Sequence, residues 1–145
     1  MDHVPKRSAH PAVLVSDRQR LPLSESEART LAALAEATMV SEGVASGELS
    51  LSFVDMDEMA ELHQRYLGEP GPTDVLSFAL GEDDLLGDVI VCPEVAAGNN
   101  PDRDAELRLL VVHGTLHLLG YDHEEEEERA VMWTKQEGYS GVASP

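Results

Sequence analysis

His113-Gly114-Thr115-Leu116-His117-Leu118-Leu119-Gly120-Tyr121-Asp122-His123 holds three histidines in eleven residues, spaced by four and by six. The preceding run, Ala105-Glu106-Leu107-Arg108-Leu109-Leu110-Val111-Val112, contains no helix breaker. Carrying that helix forward puts His113 and His117 at i and i+4, one turn apart on one face. Gly120 suits the left-handed position just past a helix end, and a turn there folds the chain back so that His123 reaches the same point in space. Three imidazoles with a fourth position open are the donor set of a catalytic zinc site, whereas structural sites close all four. His113, His117 and His123 are therefore the candidate ligands of one Zn2+. The metal-bound water, its pKa lowered to about 7, is the candidate reactive group. Single histidines on a helix are usually surface or core residues; three in this register around a glycine turn are not explained that way.

The spacing H-x-x-x-H-x-x-G-x-x-H is also that of the metzincin proteases, whose general-base Glu directly follows the first His. That position is Gly114 here, so the metal scaffold is present and the protease base is missing. Together with Pro72-Thr73-Asp74-Val75-Leu76-Ser77-Phe78 and Leu86-Gly87-Asp88-Val89-Ile90-Val91, the histidine stretch resembles the YbeY-type endoribonucleases. The similarity covers about Leu49 to Trp133, with the three motifs in that family's order. It implies a zinc-dependent, single-strand-specific endoribonuclease of small-subunit ribosomal RNA 3′ end maturation and ribosome quality control. It also implies ribosomal RNA and the ribosome or its proteins as partners, with a ribosome-associated GTPase as a further candidate. In fold it implies a small, mostly parallel sheet with the histidine helix central.

In an RNA hydrolase the activated water would attack phosphorus, or the metal would polarise a phosphoryl oxygen. Asp122 is the candidate carboxylate for orienting an imidazole through its far N–H, with a turn or cap role as the alternative. Thr73, Asp74 and Ser77 are candidates to line the cleft, against a strand-start and packing role; Asp88 is equally two-sided. His63 reads as a surface residue. The resemblance places a phosphate-contacting Arg at position 67, where Leu67 stands; Arg65, Arg103 and Arg108 are the cations available to replace it.

A length of 145 residues suits one domain spanning 1–145, with 1–11 and 138–145 as loose termini. No run approaches the roughly eighteen apolar residues of a membrane span. The basic start at Lys6-Arg7 has no apolar stretch behind it, so no signal peptide is expected. Cys92, the only cysteine, excludes an internal disulfide and a cysteine-rich metal site, and fits a cytoplasmic protein. The formal charge of −18 is unusual for a protein that holds nucleic acid, because phosphate neutralisation supplies most of that affinity. It predicts weak affinity for free RNA and delivery by a partner. Two other functions stay open: a non-catalytic, metal-stabilised ribosome-assembly factor, and a metallohydrolase (peptidase or amidase) with a base found elsewhere.

Patterning predicts an α/β (α+β) domain with about four strands. Strands are expected at Ala12–Ser16, Leu49–Val54, Asp74–Leu80 and Gly87–Cys92, the last nearly continuous in apolar residues and so central. A capping box at Ser24-Glu25-Ser26-Glu27 opens a helix whose stripe is Ala28, Leu31, Leu34, Ala35 and Thr38. A second helix starts at Asp55 or Asp57, buries Met59, Leu62 and Tyr66, and stops at Gly68. Pro93–Ala97 begins a short helix, and Glu124 to about Glu137 a last one anchored by Met132 and Trp133. Helices between strands supply the crossovers that parallel pairing needs.

Overall fold

The computed structural model describes residues 10–82 and 84–143. Its elements are β1 (Pro11–Asp17), α1 (Glu25–Ser41), β2 (Gly47–Phe53), α2 (Met56–Leu67), β3 (Val75–Glu82), β4 (Leu85–Val91), α3 (Pro93–Asn99), α4 (Arg103–Leu118) and α5 (Glu126–Ser140). The sheet runs in the order β1-β2-β4-β3. β1 and β4 both pair parallel to β2, and β3 returns antiparallel along β4. α1 joins the parallel neighbours β1 and β2, where a crossover is required; α2 leads from β2 to the oppositely running β3, and the short β3–β4 hairpin then brings β4 back parallel to β2. β4 is interior, as its apolar run predicts.

The period of two sorts each strand's residues between two layers. On one face Leu49, Leu51, Phe53, Val89 and Val91 meet Leu31, Ala35 and Met39 of α1 and Leu107, Leu110 and Val111 of α4. Each such side chain, fully buried, contributes roughly 1.5–3 kcal/mol. On the other face Leu76 and Ile90 meet Met59 of α2, with Val54 and Cys92. A third cluster joins Val112 and Leu116 of α4 to Met132 of α5. Helix α4 is thus covered by the sheet on one side and by α1 and α5 on others. That is why apolar residues occur all round it rather than on one stripe. The helix carrying two of the three histidines is the structural centre of the molecule.

The capping box forms as read: the Ser24 hydroxyl accepts from the Glu27 N–H at 3.1 Å, and Glu27 accepts from the Ser24 N–H at 3.4 Å. Several boundaries move. β1 begins at Pro11, so the loose N-terminus is shorter than expected, and residues 1–9 lie outside the described residues. α5 runs on to Ser140, which is buried, and stops at the left-handed Gly141. Gly138 is a helix-interior residue, and the frayed tail expected from 138 onward is corrected as far as Ser140; residues 144–145 lie outside the described residues. Tyr66 was expected in the core but is 57% exposed: it lies in the last turn of α2, and its ring meets Phe78 of the edge strand β3 in a tilted pair with centres 5.0 Å apart. His63, expected on the surface, is largely covered: its Nδ1 lies 2.8 Å from the Gly71 carbonyl and its Nε2 3.2 Å from Glu69. Among the described residues no helix is long and apolar enough to cross a membrane.

Candidate metal centre

Helix α4 sets the first two histidines by its own geometry. One turn separates His113 from His117, and their Nε2 atoms lie 3.1 Å apart. The helix then ends in a Schellman turn. The Gly120 N–H bonds the His117 carbonyl at 3.0 Å and the Tyr121 N–H bonds the Leu116 carbonyl at 3.1 Å. Gly120 takes φ +100°, a conformation that a side chain would strain. The chain therefore doubles back, and the His123 ring comes to 5.5 Å from His113 and 5.1 Å from His117, centre to centre. One donor atom from each of the three imidazoles lies within 4.8 Å of the others. Nitrogens bound tetrahedrally to one zinc at about 2.05 Å would stand about 3.3 Å apart, so small side-chain rotations close the set.

The electrostatics also suit a cation. Burial pushes His113 down to about 4, with His117 and His123 adding to the fall and its bond to Gln136 opposing it. Burial lowers His117 as well. At neutral pH both are uncharged and offer lone pairs. His113 Nδ1 sits 2.7 Å from Gln136 Oε1, so the ring donates there and keeps Nε2 free toward its neighbours. Trp133 of α5 walls the group, its ring 5.9 Å from that of His113 and 5.4 Å from that of His123.

The histidines open on a cleft of about 430 Å³ that follows edge strand β3, lined by Asp74 to Ala79 with Leu67 and Leu118. Asp74 is held from behind: the Asn99 amide donates to it at 3.1 Å and to the nearly buried Glu106 at 3.2 Å. Ser77 lies in the cleft wall, but its hydroxyl donates to the Gly114 carbonyl at 3.1 Å and so ties β3 to α4. Thr73 sits beside Asp74, its hydroxyl 3.5 Å from that carboxylate. The Asp122 carboxylate accepts from the His123 N–H at 2.7 Å, which is a turn contact; the acceptor placed on an imidazole is Gln136. Asp88 stands in register with Ser50 and Phe78, on the sheet face away from α4.

The three candidate replacement arginines are engaged elsewhere. Arg65 pairs with Glu61, one turn away on α2. Arg103 pairs with Glu27 at 2.8 Å. Arg108 bonds the Ser140 carbonyl at 3.3 Å and lines a separate cavity between α1 and α4. Leu67 does line the cleft, and among the described residues that line it there is no Lys or Arg. Gln136 and Asn99 were missed from sequence. For Gln136 the one available signal was its place four residues after Met132, on the buried face of α5.

Gly114 explains the missing protease base. A Cβ there would meet Val89 Cγ1 at 2.6 Å, Ser77 Oγ at 3.1 Å and Val75 Cγ2 at 3.3 Å. This face of α4 lies directly against β3 and β4, so a glutamate at 114 has no space.

The Endoribonuclease YbeY family model matches residues 15–141. An Endoribonuclease YbeY from Streptomyces griseus is 45% identical, the match covering 68% of this chain and 76% of that one. The Frankia alni protein of the same name is 50% identical, covering 61% of this chain and 59% of its own greater length. The solution structure of a Thermotoga maritima protein superposes with a TM-score of 0.64 at 33% identity, covering 88% of this chain and 86% of that one. With nearly the whole described fold inside the match, the chain belongs to the Endoribonuclease YbeY family.

Proposed function

We propose that this chain is a zinc-dependent, single-strand-specific endoribonuclease acting in small-subunit ribosomal RNA 3′ end maturation, with His113, His117 and His123 holding one Zn2+. The observation that carries the reading is the convergence of three imidazoles, two of them uncharged at neutral pH, at the floor of a cleft along a sheet edge. The donor set fits zinc: three nitrogens, no thiolate and an open side. When bound, the ion supplies Lewis acidity, activating water and neutralising charge on a phosphoryl oxygen.

The protein's own groups do the rest. Gln136 holds the His113 tautomer, and Trp133 of α5 closes the side of the site away from the cleft. Asp74, the carboxylate on the cleft wall, would accept a proton from the water that attacks phosphorus and return it to the oxygen that leaves as the P–O bond breaks, in place of the base that Gly114 excludes. Asn99 fixes its orientation. Ser77 in the cleft wall and Thr73 beside Asp74 remain the proposed substrate contacts, Arg65 a proposed contact for RNA outside that lining once released from its exposed pair with Glu61, and Asp122 a proposed support of the His123 turn. Ribosomal RNA is the proposed substrate, with ribosomal proteins or a ribosome-associated GTPase as the delivery partner, in the cytoplasm.

One observation favours a second reading, a metal-stabilised assembly factor without catalysis: the cleft lining has no cation to grip phosphate. Zinc content and cleavage of a single-stranded small-subunit precursor, measured together on wild type and His117→Ala, separate the two. Wild type is assayed with and without ribosomal particles. Loss of both metal and cleavage in the variant is the expected result. Stoichiometric zinc with no cleavage under either condition would sink the nuclease reading and leave the assembly factor.

A further inference from the structure

Glu42 has no part in the chemistry proposed above, yet it gathers more polar partners than its position warrants. It caps the C-terminus of α1, where the helix dipole disfavours a carboxylate. Its side chain is only 8% exposed, and a carboxylate buried there persists only when it is paired. Three donors from two other parts of the chain supply that pairing. The Tyr121 hydroxyl donates to Oε1 at 2.5 Å, the Lys135 ammonium donates to Oε2 at 2.9 Å, and the Tyr139 hydroxyl also donates to Oε2. The ammonium also lies 5.5 Å from the centre of the Tyr121 ring. Burial pushes the Glu42 carboxyl up, but these donors outweigh it and hold it below the ordinary carboxylate range.

Two of the donors belong to α5, while the third, Tyr121, belongs to the turn that delivers His123. The stretch between α4 and α5 is irregular, so the third imidazole rides on a loop while the first two ride on a packed helix. From outside its own turn, that loop is held by Arg129 Nε on the His123 carbonyl at 3.2 Å, an exposed contact, and by the Tyr121–Glu42 bond. The second is the more shielded of the two and also anchors in a different helix. The Tyr121 main chain meanwhile bonds Leu116 and acts on His117. One residue thus joins the helix-borne ligands, the loop-borne ligand and the end of α1.

We propose that Glu42 is a positioning residue of the metal centre: through Tyr121 it fixes the loop that carries His123, and so sets the affinity for the metal. This rests on the reading of the three histidines as ligands. It assigns a role to a group remote from the imidazoles, on a helix that contributes no ligand.

The test compares Tyr121→Phe with Tyr139→Phe in the full chain. Each removes one phenol bond to the same carboxylate, but only the first loosens the ligand loop. Zinc affinity is read by competition with a chromophoric chelator, the Co2+ site by its visible absorption, and the stability of the metal-free forms by urea unfolding. Comparable stability losses are expected, with zinc affinity about tenfold weaker and an altered Co2+ spectrum in Tyr121→Phe alone. Glu42→Gln, which keeps one acceptor oxygen for Tyr121 but loses the charge, is expected to weaken zinc binding to a smaller extent. It serves as the second variant should Tyr121→Phe fail to fold. Equal affinities in Tyr121→Phe and Tyr139→Phe, or unchanged zinc binding in Glu42→Gln when it stands in, would overturn the inference while leaving the metal reading intact. Failure of wild type to bind zinc or cobalt would overturn both.

Discussion

Replacing Gly114 by Ala tests how closely α4 lies on the sheet. In an exposed helix the change would stabilise by about 1 kcal/mol, since alanine is the better helix former. Here the new methyl must stand 2.6 Å from Val89 Cγ1, closer than carbon atoms approach. Val89 is fully buried on an interior strand and β-branched, so it has no free rotamer to retreat into. The helix must lift, stretching the Ser77–Gly114 bond and moving His113 and His117 together away from His123. Overpacking of this kind costs about 1–3 kcal/mol, so after the propensity gain a net loss of up to about 2 kcal/mol is expected, toward the upper end because Val89 cannot move aside, with weaker zinc binding. Gly138→Ala is the internal control: that glycine is inside α5 and its Cβ would meet nothing within 4 Å. Urea unfolding of the metal-free proteins should therefore shift in opposite directions, lower for Gly114→Ala and higher for Gly138→Ala. A shift of the same sign and size in both would refute the close approach.

Three further outcomes follow from the site. Gln136→Leu removes the acceptor on His113 and is expected to weaken zinc binding about 10- to 100-fold, measured by chelator competition with folding checked separately. Because His113 titrates near 4 in the folded protein and near 6.5 when unfolded, the unfolded chain binds the extra proton between those values. The metal-free protein should thus be more stable above pH 6.5 and lose about 3 kcal/mol as pH falls through 4, a loss that His113→Asn should lack in parallel unfolding curves. Leu67→Arg places a cation on the cleft wall; single-strand RNA should bind more tightly, with the log–log salt slope steeper by about 0.7 for one added phosphate contact. An unchanged slope would mean that RNA does not pass that wall.

The parts of the fold that follow local rules were legible. The i, i+4 histidines, the glycine turn and the capping box each depend on residues within one or two turns. The interior place of β4 followed from its nearly continuous apolar run, and the parallel β1–β2 pair from the helix between those strands. What failed depended on contacts distant in sequence. Gly138 reads as a stop because glycine usually ends helices, but the packing of Met132, Gln136 and Ser140 carries α5 on to Gly141. Tyr66 keeps the helical period of Met59, yet the period does not say where the sheet beneath it ends. The Arg65–Glu61 pair is visible as an i, i+4 spacing; the Arg103–Glu27 pair joins two helices and is not. Gln136 and Glu42 are legible only as oddities, a glutamine on a buried face and an acid at a helix C-terminus.

The charge of −18 and the proposed substrate are reconciled at the cleft. Affinity for a single strand grows with the number of phosphates that the protein neutralises. Here the described residues lining the cleft include Asp74 and no Lys or Arg, and burial leaves His113 and His117 uncharged at neutral pH. On the proposed reading the metal is then the principal positive charge that an RNA phosphate meets, and the surrounding acidic surface repels the rest of the strand. Such an enzyme binds free RNA weakly and with little salt dependence. On that reading it would cut where something else has already brought a single strand to the β3 edge. A basic protein of the same fold would engage any single strand it met; an acidic one makes the delivering particle, rather than its own groove, the source of selectivity.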